Sequence, residues 1–241
     1  LDNYKFMIEY TSYFQGLLNS VILCTITALL TMLSAALCGY GFAKFQFKGK
    51  ILMFGVVILS IVIPPQTVML SLFSKFRYFD IFGLLRIITG DTIVLTGSFL
   101  PAAILAVTGF GFRGGLFIFL MRQFYSGLPK ELLEAAYVDG ASVYRTYFSI
   151  IFPLGKTLMV TVFLLSLAWQ WTDTVFTPRF LDEADIMARN VSALMQSSGK
   201  PIEVANYVNI GAVLAVIPIA LIYIILQKFF VESIDRAGIV G

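Results

Sequence analysis

Histidine is absent from this chain, cysteine occurs only twice, and charged side chains make up 13% of its 241 residues. No Asp or Glu falls inside the long apolar runs either. Proton-coupled carriers usually place such ionisable groups in the membrane, so their absence argues against that class. Sodium coupling through backbone carbonyls stays open. A phosphate loop of the form G-x-x-x-x-G-K-[ST] is missing as well. Gly49-Lys50 and Gly199-Lys200 lack both the earlier glycine and the following Ser or Thr. ATP hydrolysis by that chemistry is therefore excluded for this chain. Cys24 and Cys38 are 14 residues apart, about 21 Å along one helix and beyond disulfide reach. No metal site is read from the sequence, and a net charge of +3 marks no nucleic-acid patch.

What is abundant is apolar. Hydrophobic residues make up 59% of the chain, and its mean hydropathy is +0.88. Soluble domains carry about 25% charged and roughly 45–50% apolar residues. The charges also fall between uncharged blocks: Thr11–Ala43, Ile51–Ser74, Thr92–Phe112 and Val204–Gln227 contain none. A fifth block, Thr157–Thr172, extends past Lys156 to Thr146. A spanning helix needs about 20 mostly apolar residues. Five such blocks leave too little polar surface for a soluble all-α protein. The expected fold is an all-α polytopic transmembrane bundle, a single domain over 1–241. Its spans are expected near 17–42, 51–73, 92–121, 151–172 and 205–228. The third is interrupted by GFGFRGG at 109–115, with Arg113 inside it.

Lys and Arg set the orientation. The short basic turn KFQFKGK (44–50), the region 122–156 and the tail after 227 hold nine Lys/Arg against five acids. The other side holds seven Lys/Arg against nine acids. The positive-inside rule therefore puts the turn, the 122–156 region and the 228–241 tail in the cytoplasm. Leu1 is then outside, which implies an earlier span upstream of this sequence and six spans in the intact protein.

The most informative polar stretch is LPKELLEAAYVDGASVYRTYFSIIFPL, residues 128–154. Pro129 suits the first position of a helix, where a missing N–H costs nothing. Glu131 and Glu134 then sit near the positive end of the helix dipole. Leu133, Ala136 and Tyr137 share one face. Gly140 breaks the helix or permits a left-handed turn. A second amphipathic stretch, Ser142–Ile151, leads to Pro153. The expected result is a bent pair of short helices, either a knob that docks into a partner's groove or a solvated loop with interfacial helices.

The spacing of Glu134-Ala135-Ala136, Gly140, Ile150 and Pro153 resembles the EAA motif of ABC importer permeases, E-A-A-x3-G-x9-I-x-L-P. Phe152 replaces the Leu. Asp139-Gly140-Ala141-Ser142 resembles the sugar-permease version. The tail QKFFVESIDRAGIVG (227–241) and the Asn19-Ser20 pair are similar to maltose-transporter-type permeases. The resemblance implies a cytoplasmic coupling helix within 128–154, with Glu131, Glu134, Ala135, Ala136, Asp139, Gly140, Ile150 and Pro153 as its ATPase-coupling residues. It implies a second permease subunit, two ATPase subunits that bind ATP and Mg, and an extracytoplasmic solute-binding protein. This chain itself then needs no cofactor. Location is expected in a bacterial or archaeal inner membrane, and the cargo is expected to be a carbohydrate, with a polyol, glycerol phosphate or ion-coupled carriage as alternatives.

Other features carry two readings each. Pro64-Pro65 and Pro218 are hinges or static kinks. Arg113 is a charge on a solute path or an interfacial residue between two helical pieces. Trp169, Trp171 and Asp173 stack on a sugar path or form an interfacial aromatic belt.

Overall fold

The computed structural model describes residues 2–10, 12–81, 84–111, 113–181, 186–187, 189–190 and 201–238. The last residues of the tail, 239–241, and positions 191–200 lie outside the described residues. Helices dominate, and no regular strand occurs among the described residues. One isolated antiparallel bridge joins Phe79 and Ile93.

In chain order the helices are α1 (Asp2–Tyr10), α2 (Tyr13–Lys44), α3 (Lys50–Val62), α4 (Pro65–Arg77), α5 (Leu84–Thr89), α6 (Leu100–Val107) and α7 (Gly114–Gly127). They continue as α8 (Lys130–Val138), α9 (Val143–Thr146), a π-helical turn (Tyr147–Ile151), α10 (Phe152–Leu154), α11 (Lys156–Trp171), α12 (Phe176–Phe180) and α13 (Pro201–Gly238).

Among the described residues, two helices are each long and apolar enough to cross a bilayer, Tyr13–Lys44 and the Ala205–Ile225 part of α13. At 1.5 Å per residue they reach about 48 and 31 Å, against a hydrocarbon core of about 30 Å. The number rises to four if two broken pairs, α3 with α4 and Val143–Leu154 with α11, each count as one span. The apolar run at 92–121 is different. It holds the eight-residue α6 and the 14-residue α7, and the backbone turns left-handed at Gly109 (φ 77°) and Arg113 (φ 57°) between them. Arg113 is the residue that precedes the first turn of α7.

The proline pair ends one helix and starts another. Pro64 is extended (φ −60°, ψ 130°) and Pro65 opens α4, because proline has no N–H to continue α3 but fits a first turn. The Pro64 carbonyl is not left idle: it accepts from the Thr67 backbone N–H at 3.1 Å and from the Thr67 hydroxyl. At Pro218, by contrast, α13 runs on, and the helix continues through the first part of the predicted tail to Gly238.

The chain packs as two compact units. The first comprises 1–27, 64–104 and 167–225, and the second 28–63, 105–166 and 226–241. In the first unit, buried Ser20 accepts from the Met187 N–H at 2.9 Å. Tyr13 donates to the Leu214 carbonyl at 3.2 Å. Phe180 packs on Phe73 and Phe76, with ring centroids 5.9 and 5.7 Å apart. The segment after α5 is tied to the same place, Leu95 N–H to Phe76 carbonyl at 2.9 Å and Gly97 N–H to Phe180 carbonyl at 2.7 Å.

The second unit is held by close helix–helix approach. A Cβ on Gly39 of α2 would lie 2.5 Å from the Met121 Cβ and 2.9 Å from the Arg122 nitrogen of α7. Near the start of α7, a Cβ on Gly115 would lie 2.7 Å from the Val57 carbonyl of α3. Small residues at such crossings are how helices associate where lipid removes the hydrophobic drive. Ser34 of α2 adds a buried bond to the Ala106 carbonyl at 2.8 Å. Arg122 lays its guanidinium over the Phe54 ring at 4.2 Å.

Gly39→Ala and Gly41→Ala are expected to move stability in opposite directions, because nothing lies within 4 Å of a Cβ on Gly41. The first should cost about 1–3 kcal/mol by overpacking. The second should add about 0.5–1 kcal/mol by relieving glycine's backbone entropy. Thermal unfolding in detergent distinguishes them, and equal effects of the two would refute the close α2–α7 contact.

Candidate functional site

The 128–154 loop belongs to the second unit, and its geometry follows from three local devices. Lys44, the last residue of α2, donates to the Leu128 carbonyl at 2.9 Å and so anchors the point where the loop leaves α7. Pro129 is extended (φ −53°, ψ 139°) and precedes α8, one residue before the first-turn position expected for it. Glu131 lies in the first turn, where a carboxylate complements the helix dipole.

The end of α8 is a complete Schellman motif. The Gly140 N–H bonds the Tyr137 carbonyl at 3.0 Å and the Ala141 N–H bonds the Ala136 carbonyl at 2.9 Å. Gly140 itself is left-handed, φ 76°, a conformation that costs L-residues with a Cβ about 1–2 kcal/mol. The chain restarts at Ser142, whose hydroxyl accepts from the Arg145 N–H at 3.3 Å as an N-cap. Helix α9 then widens into the π turn, and the path bends by 71° at Gly155 to enter α11. Gly155 fits there because Tyr125 crosses it: a Cβ would lie 2.9 Å from the Tyr125 hydroxyl.

Glu131, Glu134, Ala135, Asp139, Gly140 and Pro153 are exposed; Ile150 is half-buried and Ala136 is buried. The small Ala136 thus packs inward while the two glutamates face out. The most exposed apolar side chains on this loop are Val138 at 88% and Tyr144 at 78%. They flank the Gly140 turn, and with the acids they form a mixed apolar and acidic knob. The Tyr125 phenol, on α7, is buried, its ring 5.8 Å from that of Tyr40.

The other predicted residues are in the first unit. Trp171 is buried and donates from Nε1 to the Ala215 carbonyl of α13 at 3.0 Å. Asp173, 5% exposed, has both carboxylate oxygens occupied. Oδ1 accepts from the Val175 and Phe176 N–H groups at 3.0 and 2.9 Å. Oδ2 accepts from the Thr177 N–H at 2.7 Å and the Thr177 hydroxyl at 2.6 Å. The Thr177 oxygen in turn accepts from Gln170 Nε2 at 2.6 Å. Trp169 is half-buried. Asp173 therefore caps the start of α12, and the structure spends its charge on backbone amides.

A family comparison decides what kind of chain carries this loop. The profile of the binding-protein-dependent transport system inner membrane component family matches residues 34–236. The chain belongs to that family. Among its relatives, the arabinooligosaccharides transport system permease protein AraQ of Bacillus subtilis is 27% identical over 247 residues, covering 100% of this chain and 79% of the relative. The melibiose/raffinose/stachyose import permease protein MelC of the same species is 26% identical over 239 residues, covering 99% and 80%. The sn-glycerol-3-phosphate transport system permease protein UgpE of Yersinia pestis is 26% identical and covers 90% of this chain and 71% of its own. The fold matches a chain in the crystal structure of a bacterial ABC transporter involved in the import of the acidic polysaccharide alginate, with TM-score 0.68 and 16% identity, over 95% of this chain and 79% of that one.

For this inner membrane component, sequence reasoning missed several residues of the loop. Val138 and Tyr144 carry a signal in hindsight, since both are apolar yet fall outside the Leu133, Ala136 and Tyr137 stripe. Lys44 and Tyr125 carry none, because their partners at 128 and 155 are remote along the chain.

Replacing Asp173 with Ala removes four acceptor contacts at the head of α12. It should cost about 2 kcal/mol, the upper end for a helix cap. Asp173→Asn keeps one acceptor oxygen and should cost less. Thermal unfolding of the two variants measures this, and an unchanged midpoint for Asp173→Ala would count against the capping role.

Proposed function

We propose that this chain is a membrane-spanning subunit of an ATP-driven importer, and that the exposed knob at 131–144 is where its ATPase partners dock. The observation that carries the reading is the Schellman stop at Gly140, which presents Glu131, Glu134, Asp139, Val138 and Tyr144 outward on a loop anchored at both ends. An apolar knob rimmed with acids fits helix-in-groove recognition, with charge-assisted bonds from Glu134 to a basic partner surface. The chain has no phosphate loop of its own, so ATP and Mg belong to those partners.

In the resulting cycle, ATP binding brings two ATPase subunits together and carries the coupling loops of two permease subunits with them. The permease pair then alternates between facing the cytoplasm and facing a solute-binding protein on the other side. In this reading, five spans cross the inner membrane here, with α6 and α7 sharing the third. The α3–α4 break at Pro64-Pro65 is a bend on the moving path.

The cargo proposed is a carbohydrate delivered by the binding protein, supported by the relatives named for arabinooligosaccharide and raffinose-type transport. A second reading, glycerol phosphate or a similar small polar solute, rests on the likeness to UgpE. Trp171 and Asp173 are spent on structure, so solute contacts in this half of the path are expected elsewhere than on the Asp173 carboxylate.

The test is ATP-dependent uptake by the complete assembly in proteoliposomes. Glu134→Lys reverses a docking charge and should lower uptake roughly tenfold, as expected for losing about 1.4 kcal/mol. Gly140→Pro cannot adopt φ 76° and loses the N–H that bonds Tyr137, so it should lower uptake further. Full uptake and full ATPase assembly by both variants would overturn the reading.

A further inference from the structure

The last turns of α2 hold the 128–154 loop at points that lie far from α2 in sequence. Tyr40 and Lys44 are four residues apart and so share a face of the helix. The Lys44 ammonium donates to the Leu128 carbonyl at 2.9 Å, where α7 ends. The Tyr40 hydroxyl interacts with that of Tyr137 in α8. The Tyr40 ring centroid also lies 4.9 Å from that of Tyr147, beyond the Gly140 turn. One helix end therefore touches the loop where it begins, on its outgoing helix and on its returning segment.

The joint that Lys44 holds is otherwise loose. Leu128 (ψ 134°) and Pro129 (ψ 139°) are both extended, so no helical ladder runs from α7 into α8. Pro129 has no N–H with which to tie the joint down. Two such residues let the following helix swing without carrying the preceding one. Lys44 fixes the carbonyl between them.

Electrostatics suits a cation there. The ammonium lies at the C-terminal ends of both α2 and α7, where helix dipoles favour positive charge. It keeps this place although Lys130 is close enough to repel it. A charge-assisted bond is also roughly twice as strong as a neutral one. Farther back, α2 and α7 are already in close contact at Gly39 and Met121, so the Lys44 bond extends a firm helix pair onto the root of the loop.

We propose that Lys44 is a positioning residue of the transport step: by locking the α7–α8 joint onto the end of α2, it makes a displacement of the knob move α2 and α7 together. This rests on the importer reading, in which ATPase partners displace the knob. Without the ammonium the joint at 128–129 swings, and part of the displacement is absorbed before it reaches the helices. What is lost is coupling between ATP hydrolysis and uptake, rather than docking or solute affinity.

The experiment uses the complete assembly in proteoliposomes, with rates taken per assembled complex. Lys44→Met keeps a stem of similar length and removes the donor, whereas Lys44→Arg keeps a charged donor. Lys44→Met should lower the solute carried per ATP hydrolysed roughly tenfold, the order of one charge-assisted hydrogen bond, with an unchanged KM for solute. Lys44→Arg should restore most of that ratio. A purely structural role would instead lower the thermal midpoint and the amount assembled while leaving the ratio intact. An intact ratio in Lys44→Met, or a Lys44→Arg variant as poorly coupled as Lys44→Met, overturns the proposal. If the unsubstituted assembly shows no ATP-dependent uptake, the importer reading fails and takes this proposal with it. Normal uptake by the unsubstituted assembly with an intact ratio in Lys44→Met leaves that reading standing and removes this proposal alone.

Discussion

Where water is absent, a backbone N–H or C=O without a partner costs several kcal/mol, and the breaks in these helices are shaped by that cost. At Pro64 the freed carbonyl is taken by both donors of Thr67. At the exposed Gly140, where water can compete, the left-handed turn still closes two bonds back onto α8. Past Trp171 the amides at the head of α12 are taken by Asp173. At Leu128 the carbonyl beyond α7 is taken by Lys44. At each of these breaks a side chain or turn repairs the backbone, so the places where the chain bends are chemically specified.

That constraint also explains the character of the 128–154 loop. Its ends are tied, at Lys44–Leu128 and at the Tyr125–Gly155 contact, while its tip carries exposed acids and the exposed Val138 and Tyr144. A rigid tip on an anchored root can transmit a displacement that a floppy loop would absorb.

Charge spacing alone located α2 and the apolar part of α13, because a long uncharged run admits little else. Local chemistry located the loop and the left-handed Gly140, since a glycine after an amphipathic turn is a short-range signal. The internal structure of the 92–121 run was less legible. The GFGFRGG interruption was visible, but that Gly109 and Arg113 would both turn left-handed was not. Asp173 shows the opposite limit: beside Trp171 it reads as a contact for a solute, and only the positions of the Val175, Phe176 and Thr177 amides reveal it as a cap. Tyr40, Tyr125 and Tyr147, whose rings pack together in the second unit, were invisible as a group because they come from segments far apart in sequence, and a tyrosine near the end of an apolar run looks the same whether its hydroxyl meets water or the interior.

The central claim, that the tip of this loop is the surface on which ATPase partners dock, is tested most directly by cross-linking from within it. A photoreactive benzophenone side chain placed at Val138 or Tyr144 in the complete membrane assembly should form an adduct with an ATPase subunit, and its yield should change when ATP is added. The same group at Phe14, exposed on α2, serves as the control and should form none. Absence of an adduct from both 138 and 144, or an equal yield from position 14, would contradict the account.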